Sequence, residues 1–239
     1  MFHKLAEQSE DESAQTIYVG STSVDRWLPG FREQNDVTVP SNDVAVSAWM
    51  GNRSRISAHF DFPDNVACVV AGRRRFTLFP PDQIKNLYVG PLDLTPAGQA
   101  ISLVDFENPD FDKYPKFREA LESSYTVTLE PGDALFLPSM WWHHVEGLDS
   151  LNVLVNFWWR STPAFMGSPL NVLKHALLGL HGLPPEQRAA WQHIFDYYVF
   201  NPPVDGIKHL PESSRGILSP SDDLVARQLR ADLLNQLNR

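Results

Sequence analysis

The chain has 239 residues, 43% hydrophobic and 21% charged, which excludes collagen-like and wholly disordered chains and suffices for a buried core without disulfides. A net charge of −9 works against phosphate-backbone binding, so no nucleic-acid partner is expected, and the single cysteine, Cys68, excludes an internal disulfide and a cysteine-rich zinc site. No apolar run approaches the roughly 20 residues of a membrane helix, and the acidic start MFHKLAEQSEDESAQ lacks a signal-peptide core; the expectation is a soluble, cytoplasmic protein without a membrane partner.

Residues 1–15 are polar and weakly patterned, a frayed end or a short helix. TIYVG (16–20) is a short β-type run, and 27–43 is turn-rich, punctuated by Pro29, Gly30 and Pro40. Strand-like runs follow at 44–51, 55–62, 65–72 and 73–81, with Gly72 supplying the turn between the last two. Residues 82–124 read as a long insertion of loops with one short helix at 115–124, its first position suited to Pro115. Strands return at 125–130, 134–138, 141–147 and 151–159. Beyond Arg160 the pattern turns helical. A helix over 168–182 has Ser168 as N-cap, Pro169 at its first position and Gly182 as its stop. Further helices are expected over 184–200 and 221–239, and the short loop between the first two predicts an antiparallel pair. Strands first and helices after suggest an antiparallel sandwich or barrel carrying a helical tail.

Two stretches could carry chemistry. In His59-Phe60-Asp61, read as a strand, positions i and i+2 share a face, so an imidazole and a carboxylate can grip one ion. Alone the tripeptide is a weak signal, and His144-Val145-Glu146 is a rival pair. The second stretch is PGDALFLPSMWWHH (131–144), a turn, an apolar strand and two histidines. Adjacent strand residues face opposite sides, so only one of His143 and His144 can point inward. A histidine here with His59 and Asp61 makes a two-histidine, one-carboxylate set that leaves part of an ion's coordination sphere open, as suits non-haem Fe(II). Zinc favours closed tetrahedral sites, or three ligands and a water.

Residues 44–159 resemble the JmjC-like cupins, iron(II)- and 2-oxoglutarate-dependent oxygenases that include the asparaginyl hydroxylase of hypoxia-inducible factor and its bacterial cupin-like relatives. The likeness rests on HFDFPDN (59–65), AGRRRFTLFPPDQ (71–83), PGDALFLPSMWWHHVE (131–146) and VNFWW (155–159), in the family's order. It implies a mainly β fold, a double-stranded β-helix (jelly roll, or cupin) with C-terminal helices. The oxygenase domain would span 1–165, in N-terminally shortened form, and a helical extension 166–239. The cupin Gly–Pro–His spacing falls on Gly132, Pro138 and His143, with Met140 where cupins usually carry glycine. The resemblance therefore implies iron held by His59, Asp61 and His143. Asn65 matches an asparagine near the iron and cosubstrate. Arg74 stands where the family has the lysine that anchors 2-oxoglutarate; alternation puts it on one face with Phe76 and Leu78, and Arg73 and Arg75 on the other. Tyr18, Asn156 and Trp158 resemble residues lining the cosubstrate pocket. The family's threonine three residues before the first metal histidine is Ile56 here, followed by Ser57.

The implied activity is hydroxylation of a side chain of a protein or peptide, with Fe(II) and 2-oxoglutarate as cofactors. The alternatives are a non-oxygenase metal cupin acting on or binding a small molecule, and a catalytically silent interaction module. The apolar content of 168–200 exceeds what one covered face absorbs and predicts a homodimer through these helices, with folding-back of 201–239 as the alternative cover.

Overall fold

The computed structural model describes residues 15–93, 99–203, 205–219 and 222–238; the reading of residues 1–14 lies outside them. The β-branched and aromatic runs become nine strands: β1 (Tyr18–Ser23), β2 (Val44–Gly51), β3 (Ser54–His59), β4 (Asp64–Ala71), β5 (Arg74–Phe79), β6 (Tyr125–Leu129), β7 (Ala134–Leu137), β8 (Trp142–Gly147) and β9 (Asn152–Trp159). They form a five-stranded sheet in the order β1-β2-β9-β4-β7 and a four-stranded sheet in the order β3-β8-β5-β6. All pairings are antiparallel. From β2 to β9 the chain changes sheet at every connection except β5 to β6. This is the winding of a double-stranded β-helix, here two facing sheets rather than a closed barrel.

Period-two alternation decides what lies between the sheets. Ala67, Val69, Leu137 and Leu154 project from one sheet and Phe76, Leu78, Leu129 and Val145 from the other, and together they make the central core. The far face of the five-stranded sheet is apolar too, which is why β2 and β9 read as near-continuous apolar runs. It is covered by residues 24–39, which hold two short helices, α1 (Val24–Trp27) and α2 (Phe31–Gln34). Val24 is fully buried there against Val46, Ala48, Val155 and Phe157.

Three features differ from the sequence reading. The strand expected over 55–62 ends at His59, so Asp61 lies in the turn before β4; Pro63 cannot donate to a ladder and helps to end the strand. The insertion is more than a loop. A 3-10 turn (Pro81–Lys85), a bridge between Val89 and Ser102 and the helix α3 (Phe117–Glu122) enclose a second core of Phe79, Leu87, Val104, Phe117, Ala120 and Trp142. The third lies in the C-terminal helices.

Contacts divide the chain into two compact units, Met1–Ser161 and Thr162–Arg239. The second holds α4 (Pro169–Leu180), α5 (Pro185–Phe195) continued by a π-helical turn over Asp196–Phe200, and α6 (Asp223–Leu237). Ser168 caps α4, accepting from Leu170 N at 3.3 Å, and Asp222 caps α6, accepting from Leu224 N and Val225 N at 2.9 and 2.8 Å. The expected antiparallel packing of α4 on α5 does not form: the two do not pack closely along their length. Arg188 instead spends its guanidinium on the linker, donating to the carbonyls of His181 and Leu183. No described helix is long and apolar enough to cross a membrane.

At Gly72, between β4 and β5, the backbone has φ +68°, and a Cβ would fall 2.2 Å from the Leu151 carbonyl oxygen. Glycine lets the β8–β9 turn close on this one. Arg73 then clamps both, its backbone N–H and guanidinium donating to the Asp149 carboxylate at 2.7–3.1 Å.

Candidate metal centre

Antiparallel pairing sets His59, the last residue of β3, directly opposite His143 on β8. Their rings lie 4.3 Å apart, centre to centre. Asp61, just past the strand, brings Oδ2 to 3.6 Å from His143 Nε2. One ligand atom from each of His59, Asp61 and His143 falls within 4.8 Å of the others, a spacing that can hold one ion. Both histidines are oriented alike. His59 Nδ1 lies 2.8 Å from the Ser57 carbonyl and His143 Nδ1 3.0 Å from that of Trp141. With Nδ1 occupied as a donor, Nε2 carries the lone pair, the tautomer a metal requires.

Burial holds the His143 pKa down to about 3, with the neighbouring His59 adding to the shift and the Trp141 carbonyl opposing it. The ring is therefore neutral and ready to ligate. Burial raises the Asp61 pKa, against a pull downwards from His59. A bound cation would favour the charged carboxylate.

Two backbone details hold Asp61 in its turn. Its carbonyl accepts from Met140 N at 2.9 Å, and Met140 takes the left-handed φ of +67°. That conformation suits the glycine that cupins usually carry there; a non-glycine residue adopts it at a cost of about 1–2 kcal/mol.

A second cluster lies between the sheets. Arg74 is 2% exposed. One guanidinium nitrogen donates to the Trp49 carbonyl at 3.2 Å, and the Tyr18 hydroxyl is within hydrogen-bonding reach. Among the described residues no carboxylate pairs with it, and Nε has no partner. Burial lowers its pKa, opposed by Tyr18. Tyr18, itself raised by burial against the pull of Arg74, stacks toward Trp49 at 6.1 Å, and Trp49 meets Trp158 edge-on at 5.8 Å. Both indole N–H groups, on Trp49 and Trp158, are buried without partners. Asn156, next to Trp158 on the inner face of β9, donates to Asn65 Oδ1 at 2.6 Å, and both are buried. On the four-stranded sheet Arg74 lies opposite Gly147, four residues along β8 from His143 on the same face. That separates their backbones by about 13 Å, which a short dicarboxylate and two side chains can span.

The rival residues face elsewhere. His144 projects from the other side of β8 and stacks on Phe106 of the insertion at 4.4 Å. With Arg55, Ser57 and Asp105 it lines a separate cavity of about 360 Å³, so the Ser57 side chain serves that outer face. Glu146 takes a two-pronged bond from Arg75 at 2.6 and 2.7 Å. Two residues near the candidate site stood in no motif: Trp49, whose inward position strand alternation could have revealed, and Gln99, whose amide donates to Asp61 Oδ1 at 3.3 Å and which no pattern marks.

Residues 1–165 match the model of the family described as the cupin-like domain. The chain is 34% identical over 152 residues to lysine-specific demethylase JMJ31 of Arabidopsis thaliana, covering 63% of this chain and 26% of that protein. It is 33% identical over 213 residues to tRNA wybutosine-synthesizing protein 5 of Gallus gallus, covering 78% and 63%. It is 36% identical over 119 residues to human HSPB1-associated protein 1, covering 49% and 24%. The chain thus spans between a quarter and just under two thirds of the length of these relatives.

The Arg75 bond holds the Glu146 carboxyl below its ordinary value of 4.5. A depressed folded pKa stabilises above the unfolded value, and that stability is lost as pH falls through the folded one. Glu146→Gln should therefore cost about 1 kcal/mol or less at pH 7. The difference from wild type, read by urea unfolding, should shrink as the pH drops below about 4.5.

Proposed function

This chain belongs to the cupin-like domain family, and we propose that it works as an Fe(II)- and 2-oxoglutarate-dependent oxygenase hydroxylating a side chain of a protein or peptide. The observation that carries this reading is an open two-histidine, one-carboxylate triad on the same sheet face as a buried guanidinium without an anion. A charge taken out of water is unfavourable unless paired. Arg74, with the orphaned N–H groups of Trp49 and Trp158 nearby, offers a carboxylate the donors it needs. The residues thus fit both an iron ion and a dicarboxylate.

When bound, iron(II) and 2-oxoglutarate supply oxidation: one oxygen atom of O2 enters a C–H bond, the other ends in succinate, and CO2 is released. The chain's residues position these groups. His59 and His143 present Nε2, their rings locked by the Ser57 and Trp141 carbonyls. Asp61 adds the negative charge. Arg74 would hold the distal carboxylate, with a charge fixed at any working pH. Tyr18, Trp49 and Trp158 wall the pocket with aromatic surface and limit water. Beside them Asn156 donates to Asn65 Oδ1.

The relatives' names point to two substrate classes, a protein lysine and a tRNA. A net charge of −9 favours protein or peptide over RNA.

With iron supplied, His143→Ala should abolish iron binding and succinate formation, whereas His144→Ala, on the opposite face of β8, should retain at least part of both. The reverse ranking would sink the triad. A peptide library and bulk tRNA offered side by side distinguish the substrates, since only the true class should stimulate succinate release. For the cosubstrate, Arg74→Ala should raise the apparent 2-oxoglutarate constant about tenfold or more, the loss of one charged hydrogen-bonding partner, while Arg75→Ala leaves it unchanged. An effect at Arg75 alone would show that the anchor lies elsewhere.

The helical unit supports a homodimer. No residue of α4 or α5 is buried, and Leu173, Leu177, Leu178, Trp191 and Ile194 are all exposed. The alternative cover, α6, exposes its own Leu224, Leu233, Leu234 and Leu237. Unpaired apolar surface of this kind marks an association site. Light scattering at micromolar concentration should give twice the 27.0 kDa chain mass. A monomer mass, or a dimer indifferent to charged residues at Leu173 and Leu177, would count against it.

A further inference from the structure

Gln99 is the one insertion side chain bonded to the candidate triad among the described residues. Its amide donates to Asp61 Oδ1 at 3.3 Å. The other carboxylate oxygen, Oδ2, is the one 3.6 Å from His143 Nε2. The two oxygens are therefore differently occupied: one accepts a neutral donor, the other lies beside His143 Nε2.

The segment carrying Gln99 is firmly anchored. Gly90 N donates to Ile101 O at 2.9 Å and Leu103 N to Tyr88 O at 3.1 Å, pairing the two arms of the insertion. Ser102 N donates to the Ala58 carbonyl at 2.8 Å, one residue before His59. The Ser102 hydroxyl, buried, donates to Leu87 O at 2.6 Å. The ribbon that ends in Gln99 is thus bonded to the strand that ends in His59. Asp61 is held from both sides, through its carbonyl by Met140 and through its carboxylate by Gln99.

A carboxylate can ligate through one oxygen or both. Bidentate grip would take up a second coordination position, one that a two-histidine, one-carboxylate site must leave open. We infer that Gln99 is a positioning residue: it occupies Asp61 Oδ1, so that Asp61 offers a single oxygen to the ion and the neighbouring position stays free for an exchangeable ligand. The amide is neutral, so it restrains the carboxylate without cancelling the charge that binds the cation. On this view the insertion tunes the metal centre as well as covering the sheet. The inference rests on the reading of His59, Asp61 and His143 as a metal site.

The test uses the metal-free full chain and Co(II) alone as probe. Gln99→Met keeps the length of the side chain and removes the donor. Gln99 is half-buried in a loop rather than set in either core, so the variant leaves no cavity, and an unchanged metal-free melting temperature checks this. Co(II) affinity should fall about ten- to a hundredfold, the usual effect of removing a group that orients a ligand. The visible d–d bands of the Co(II) protein should also change, because the ligand arrangement does. Equal affinity with an unaltered spectrum would overturn the inference. So would weaker binding with an unaltered spectrum, which marks general loosening of the loop. Failure of the wild-type chain to bind Co(II) in a His143-dependent way is a different result, and it removes the metal-site reading itself.

Discussion

The register between β3 and β8 is the constraint on which the site depends. His59 and His143 are cross-strand partners, set on one face by a register shift between Ile56 and His59. Because side chains alternate, a one-residue slip of β8 would withdraw His143 and present His144. The register is held from both sides. β5 pairs with β8 through Leu78 and His143, and Val145 is committed to the central core. On the opposite face, Trp142 is 1% exposed within the insertion's core and His144 stacks on Phe106. A slipped strand would have to empty two apolar cores at once.

The insertion therefore has a structural role before any chemical one. It supplies the second core, and with it the reason why the outer face of the four-stranded sheet can carry a tryptophan and a histidine at all. It also explains how a carboxylate standing in a turn is held as well as the strand-borne histidines. A turn residue lacks ladder bonds on both sides, so Asp61 borrows order from backbone on one side and from an anchored ribbon on the other.

Much of this was legible in the sequence, and the gaps have physical causes. All nine strands sit within three residues of their expected runs, because burial between the sheets, or on both faces as in β2 and β9, imposes composition directly. The placement of Arg74 inside and of Arg73 and Arg75 outside follows from alternation alone. The end of β3 was missed because HFDF continues the strand's apolar alternation, and only the need to turn into β4 stops it. The insertion's core was invisible because Val104, Phe106, Phe111 and Tyr114 come from irregular backbone with no period. Gln99 was missed for a related reason: a polar residue in a loop looks the same whether it faces solvent or a carboxylate. The parting of α4 and α5 escaped because loop length limits a hairpin without compelling it.

The replacement of lysine by arginine at position 74 has a consequence of its own. A buried lysine can relieve the strain of burial by giving up its proton, whereas a guanidinium keeps its charge under all physiological conditions. No carboxylate pairs with that guanidinium among the described residues, so a small carboxylate that fitted there would stabilise the folded chain by mass action. If that anion is 2-oxoglutarate, as proposed, succinate, which keeps the same distal carboxylate, would compete for the same guanidinium.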